Sequence, residues 1–207
     1  MKNTYNIIIV IETDNTEEKI IEATFKILRK DGFKKTTTKK IAKEANVNEV
    51  TIFRKFKNKQ NLIDATKDYY LQIFLEKIET IFNYDENVEI EEYLRNNFIQ
   101  LYNLSDEDYS IVKVALEEVS DIEGNKILIS KITNTCISKL ESFFKIQEEK
   151  GNIREVNSTV LAIMCFSITF QSMVLGKVYN KEHDFQEMES NKHAKAFFDI
   201  LYNGIKS

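Results

Sequence analysis

The chain has 207 residues, 43% of them hydrophobic, with a formal charge of −4, five scattered glycines and no proline. That length supports one or two compact domains with sizeable cores, and nothing in the composition interrupts long helices. The overall charge argues against a nucleic-acid partner, but it conceals a division: residues 1–60 hold 14 Lys or Arg against 8 Asp or Glu, and residues 61–207 hold 15 against 25. A basic head on an acidic body points to a polyanion bound at one end of the chain.

In chain order, residues 5–11, YNIIIVI, are apolar but too short to span a bilayer. One preceding lysine and no small-residue cleavage site make a poor signal peptide, so a short extended tail is expected. A first helix is predicted over 16–30, with Ile20, Ala23, Ile27 and either Phe25 or Leu28 as its apolar stripe and Gly32 as the stop beyond it.

Residues 36–62, TTTKKIAKEANVNEVTIFRKFKNKQNL, read as two short helices joined by a tight turn and leading into a third. Thr38 is the expected cap of the first, with Ile41, Ala42 and Ala45 on its apolar side. Asn46 and Val47 make the turn, and Asn48 caps the second short helix, from 49 to about 53, with Val50 or Ile52 and Phe53 facing inward. This is helix-turn-helix patterning, which offers its second helix to the DNA major groove.

A longer helix is predicted from after Asn58 to residue 82, roughly 36 Å at 1.5 Å per residue. A loop at 83–89 separates it from helices at 90–103, 106–120 (capped by Ser105), 125–149 (ending before Gly151), 158–180 and 190–205. No alternating strand pattern competes after residue 11, so the class is all-α, with about nine helices in total. Residues 157–176 carry no charge over 20 positions, long enough to cross a membrane. Asn157, Ser158, Thr159, Ser167, Thr169, Gln171 and Ser172 dilute the run, and a helix buried both in a core and against a second subunit is the preferred reading.

Cys136 and Cys165 lack CxxC spacing and read as buried free thiols in a reducing, cytoplasmic setting. His183 and His193 have no metal-ligand spacing with them, and no phosphate loop, nucleophile elbow or metalloprotease motif occurs. Neither catalysis, a cofactor nor a metal is expected.

The stretch 16–62 resembles the DNA-binding domain of the TetR family of transcriptional regulators. The matching residues are Gly32-Phe33, Thr37-Thr38, Ile41-Ala42, Asn46-Val47-Asn48, Thr51-Ile52-Phe53, Phe56, and Lys59 with Leu62. Two positions depart from the family pattern: Asn46 stands where Gly is usual, and Phe53 where the recognition helix usually has Tyr. Asn tolerates left-handed backbone best after Gly, so the turn is expected to survive. The Phe ring can still pack but has no hydroxyl for a phosphate. The remainder resembles the family in length and helix order only. The resemblance implies a helix-turn-helix domain over 14–74, with its motif at 37–56, and a helical ligand-binding and dimerisation domain over 75–207.

Phosphate contacts are expected from Thr37 or Thr38 at a helix N-terminus, from Lys39, Lys55 and Lys57, and, as the family pattern implies, from Lys59. Base reading falls to Glu49, Val50, Thr51 and Arg54, beside Phe53. Ile41, Val47, Ile52 and Phe56 are assigned to a small core. The family arrangement implies a homodimer on a palindromic site, here through the helix at 158–176 (Ile168, Ser172) and the final helix (Phe197, Phe198, Leu201).

Family members commonly hold a small-molecule effector between the middle helices. Candidate lining residues here are Phe74, Ile78, Tyr93, Phe98 and Tyr102, with Tyr109, Val112, Phe143 and Met164 further along. The acidic excess of the body favours a neutral or cationic ligand. The expected function is a cytoplasmic DNA-binding regulator, a repressor released by a small ligand. A constitutive DNA-binding or assembly factor without an effector stands as the alternative.

Overall fold

The computed structural model describes residues 15–85, 87–119, 127–179 and 190–205; the apolar stretch at 5–11 lies outside them. Among the described residues there are nine α-helices and no strand. They are α1 Asn15–Lys35, α2 Thr38–Glu44, α3 Glu49–Phe56, α4 Lys59–Ile81, α5 Ile90–Tyr102, α6 Asp106–Val119, α7 Ile127–Glu149, α8 Ser158–Tyr179 and α9 Ser190–Ile205. The chain divides into two compact units, the break falling between Tyr70 and Leu71 within α4.

The first unit is organised by four aliphatic side chains. Ile20 of α1, Ile41 of α2, Ile52 of α3 and Leu62 of α4 each have 0% exposure in one cluster, with Ala23, Ile27, Ala42, Ala45 and Phe56 around them. On α1, Glu17 and Glu18 in the first turn and Lys34 and Lys35 in the last both complement the helix dipole. The helix outlasts its predicted end. Gly32, at φ 74° and ψ 174°, breaks its geometry, and a further turn follows that glycine. Phe25 stacks on Tyr70 with ring centroids 3.6 Å apart, fixing α1 to α4.

Two sequence expectations are corrected here. Thr37, not Thr38, caps α2: its hydroxyl accepts the Lys40 backbone N–H at 3.3 Å. Phe53 does not face inward; α3 continues to Phe56, so Ile52 and Phe56, one turn apart, form the buried stripe. Phe53 is left 46% exposed and Val50 71% exposed.

In the second unit α7 packs on α8, α5 on α8 and α9, and α6 on α7. Caps are explicit in the sequence. Ser105 Oγ accepts the Asp108 N–H at 3.1 Å at the start of α6, and Asn157 Oδ1 accepts that of Val160 at 3.0 Å at the start of α8. Helix α7 ends in a Schellman motif, with Asn152 N–H on the Gln147 carbonyl (3.0 Å) and Gly151 N–H on that of Glu148 (2.9 Å). Gly151 sits at φ 74°, where a β-carbon would be strained.

Phe143, Phe144 and Phe198 are the largest fully buried side chains of this unit. Tyr93 leans on Phe143 at 3.9 Å and gives its hydroxyl proton to the Phe82 carbonyl at 3.2 Å. Burial pushes that phenol well above its ordinary range. Cys136 and Cys165 are free and buried, and burial pushes both thiols up to about 12.

Helix α8 is apolar and long enough to cross a membrane, with a mean hydropathy of 1.8 over Ser158–Lys177. Leu161, Ala162, Cys165, Phe166, Thr169 and Met173 turn inward onto the unit's core.

The two faces of α3 lead to a prediction. Ile52→Ala is expected to cost about 2–5 kcal/mol through a buried cavity. Val50→Ala, on the open side of the same helix, should change stability by under about 0.5 kcal/mol. Urea unfolding midpoints measure both, and equal losses would contradict the packing described.

Candidate nucleic-acid interface

The turn between α2 and α3 is a Schellman motif built without glycine. Val47 N–H reaches the Ala42 carbonyl at 2.9 Å and Asn46 N–H that of Lys43 at 3.3 Å. Asn46 takes the left-handed position at φ 52°, as anticipated for this substitution. Val47, next along, packs against the four-helix cluster. Asn48 then caps α3, its Oδ1 accepting the Val50 N–H at 2.9 Å. Stop, turn and restart are thus specified by three consecutive residues.

The exit from α3 is tighter still. Lys57 lies at φ 69° and ψ −47°, and Asn58 N–H bonds the Phe56 carbonyl two residues back at 2.8 Å. This is a γ-turn with positive φ, a strained conformation for a residue with a side chain. Asn58 at once caps α4, its Oδ1 accepting the Asn61 N–H at 2.8 Å. Sequence reasoning placed Lys57 on the surface but missed the strain, which only backbone angles reveal.

These turns sort the predicted contact residues. Val50, Phe53, Arg54 and Lys57 lie exposed on or just after α3, with Thr51 beside them half-buried. Lys39 is exposed on α2, next to the Thr37 cap, and Lys59 is half-buried in the first turn of α4. No ion pair among the described residues holds Lys39, Arg54, Lys57 or Lys59. Other charges are engaged within the unit. Lys55 pairs with Glu17 at 3.7 Å, and Lys40 with Asp31 at 2.6 Å. The Lys40 hydrogen bond holds the Asp31 carboxyl below its ordinary range. Thr38 donates to the Glu49 carboxylate, joining the first turns of α2 and α3. Glu49 and Lys55 therefore already serve as braces within the motif.

The expected effector residues are dispersed. Phe74, Ile78 and Val112 meet around one small cavity with Ile132, Phe170 and Met173. Phe98 instead packs its ring on Phe198, centroids 6.0 Å apart, and Tyr102 stacks beside Phe98. Tyr93 and Phe143 belong to an aromatic cluster with Tyr84 and Phe144. Tyr109 lies under the Lys177 ammonium, 5.9 Å from its ring centre. Met164 faces away from the cavity residues and is 49% exposed.

The expected interface residues divide as well. Phe198 is 1% exposed and lines a cavity of its own unit, whereas Ile168 is 38% exposed on the outside of α8. Ser172, Phe197 and Leu201 are half-buried. Val160, Ile163 and Met164 extend the outer α8 stripe, and Ile200 on α9 is 74% exposed; sequence reasoning named none of the four for this role. Their helical spacing was legible, but both faces of α8 are apolar, so the sequence does not say which one is covered.

The chain can now be set beside known proteins. Residues 20–66 match the family model of bacterial regulatory proteins, tetR family. The HTH-type transcriptional regulator YvkB of Bacillus subtilis, itself uncharacterised, is 30% identical over 155 residues, covering 75% of this chain and 79% of YvkB. A solved Clostridium perfringens structure, assigned as a regulator of fatty acid metabolism, has 25% identity and a TM-score of 0.64 over 91% of this chain and 99% of its own. GusR of Salmonella enterica superposes with a TM-score of 0.71 at 20% identity, over 94% and 98% of the two chains.

The two positive-φ positions lead to a common prediction. Lys57→Gly is expected to raise stability by about 1 kcal/mol by releasing the strained turn, and Asn46→Gly to preserve or slightly raise it. Asn46→Val should cost more than about 1 kcal/mol. Thermal unfolding of the three variants checks the order, and destabilisation by Lys57→Gly would remove the strain argument.

Proposed function

The chain belongs to the TetR family of bacterial transcriptional regulators, and on that premise we propose that it is a cytoplasmic homodimeric repressor, bound to a palindromic operator and released by a small molecule. The observation that carries the DNA half of this reading is the exposed edge of α3. There Arg54 and Lys57 stand, among the described residues, without ion pairs beside Val50, Thr51 and Phe53, while Lys39 and Lys59 mark two neighbouring helix starts.

The roles follow from chemistry. Helix N-termini and unpaired ammonium groups hold phosphates and set register; Lys39, Lys57 and Lys59 take this part, with the Thr37-capped end of α2. Arg54 has the donors to read guanine, and the Val50 and Thr51 methyls suit thymine. Phe53 adds apolar surface, and Thr38 and Glu49 keep the two helices of the motif in register. The unit that ends at Tyr70 reads the DNA, and the body from Leu71 onward carries dimerisation and effector binding.

One such unit covers too few base pairs to select an operator, and two-fold pairing solves this by repeating it one helical turn of DNA away. The outer stripe of Val160, Ile163, Met164 and Ile168 on α8 is the apolar surface proposed to meet its symmetry mate, together with Ile200, Phe197 and Leu201 on α9.

The effector half rests on the body's cavities, each only about 10 Å³, barely one water. A ligand must open them, and it would therefore bind and stabilise a second conformation, which is what release by population shift requires. Phe74 and Ile78 belong to α4, whose first turn carries Lys59, so one helix links the two functions. The same closed cavities also favour a constitutive regulator without an effector. Ligand-dependent loss of operator binding separates the two readings.

The central experiment is fluorescence anisotropy with DNA from the gene's own upstream region, followed if necessary by site selection from random DNA. Competitor-resistant binding that falls steeply with salt is expected, and failure in both formats would sink the reading. Arg54→Ala and Lys59→Ala should each weaken binding about tenfold, with Lys59→Ala also lowering the salt slope by about 1. A dimer measured by light scattering should become a folded monomer in Ile163→Asp; a dimer that persisted would move the interface elsewhere.

A further inference from the structure

Two small cavities in the body share Leu101, Phe166 and Thr169 as common walls and so lie side by side in the core. Among the described residues, no charged side chain lines either of them. Thr169 is occupied, its hydroxyl donating to the Cys165 carbonyl one turn back at 2.8 Å. Asn97 of α5 is different. It is 5% exposed, it lines the cavity beside Leu94 and Phe198, and its amide Nδ2 is buried with no hydrogen-bond partner. Tyr93, one turn back on α5, gives its hydroxyl proton to the Phe82 carbonyl and brings its oxygen near that amide, but no hydrogen bond from Nδ2 to the oxygen is closed.

A buried amide N–H without an acceptor is a costly thing to keep in an apolar wall, and a leucine would fill the same space without the cost. We infer that this cavity takes an uncharged, mostly apolar molecule carrying one hydrogen-bond acceptor, such as a ketone or ester carbonyl, to which the Asn97 amide N–H donates. The inference rests on the effector reading above and names the class of ligand.

The chemistry of the walls excludes the charged alternatives. A carboxylate or a phosphate in these cavities would lie in an apolar interior with one neutral donor, too little to offset its lost hydration. An ammonium would meet no carboxylate. Arg95, on the same helix, has a buried Nε without a partner, but two residues place it roughly 200° round the axis from Asn97, and it lines neither cavity. The acceptor on the ligand supplies orientation, while the aliphatic and aromatic walls supply affinity, the usual division of labour in a small-molecule site.

The test uses the full-length protein and three nine-carbon probes: 2-nonanone, nonanoate and nonylamine, each titrated calorimetrically at pH 7.5 and then against the protein–operator complex. 2-Nonanone is expected to bind at least tenfold more tightly than either ion and to lower operator affinity. Asn97→Leu should weaken 2-nonanone about tenfold, the loss of one hydrogen bond, while leaving thermal stability unchanged or raised. A stable Asn97→Leu protein that bound 2-nonanone as well as the parent would overturn the role of Asn97. Nonanoate or nonylamine binding as tightly as the ketone, with release of the operator, would overturn the ligand class but leave the effector reading intact. A protein that held its operator and bound none of the three would overturn both, leaving the constitutive regulator.

Discussion

An eight-residue helix does not hold itself together in water, and the proposed DNA-facing surface of this protein is built on one. Helix α3 exists because Ile52 and Phe56 are clamped against Ile20, Ile41 and Leu62, one fully buried aliphatic side chain from each neighbouring helix. Once that stripe is buried, the rest of α3 has no freedom: Val50, Phe53, Arg54 and, just beyond, Lys57 must face out. The turns at either end serve the same constraint. Asn46 reverses the chain so that Val47 joins the cluster, and the strained Lys57 brings Asn58 round in time to start α4.

Charge is sorted by the same packing. The basic head has a surplus of cations, but several are used internally: Lys55 against Glu17, Lys40 against Asp31, Lys26 against Glu44. Exposed pairs of this kind contribute little to stability. Their consequence lies in the proposed function, because they leave the cations that no ion pair among the described residues holds, Arg54, Lys57, Lys59 and Lys39, around the outward face of α3 and the two helix starts beside it. A backbone polyanion would meet fixed donors there and not a diffuse positive coat.

In the body, α8 has two apolar faces in different surroundings. Leu161, Cys165, Phe166, Thr169 and Met173 close over the cavities, while Val160, Ile163, Met164 and Ile168 remain open on the other side. That division explains a chain segment as apolar as a membrane span in a protein with a polar, acidic body. It also puts the proposed ligand and the proposed partner subunit on the same helix, so a change that separates α8 from α5 would be felt at both.

Helix number and order were legible in the sequence, though α1 and α3 run past their predicted ends, because caps and stops are local: Asn48, Ser105, Gly151 and the Asn46 turn act within a few residues and work as the sequence implies. The family, too, lay in a contiguous motif. What lay beyond the sequence is non-local. Whether Phe53 or Phe56 turns inward depends on where α1 and α4 stand, and whether Phe198 or Ile200 meets the core depends on α5. Met164 and Asn97 are the sharpest cases: one is a hydrophobic residue left outside, the other a polar residue kept inside without a partner. Periodicity states that a helix has faces, but only the packing of the other helices decides which face is covered, because burial is a property of neighbours and not of the residue itself.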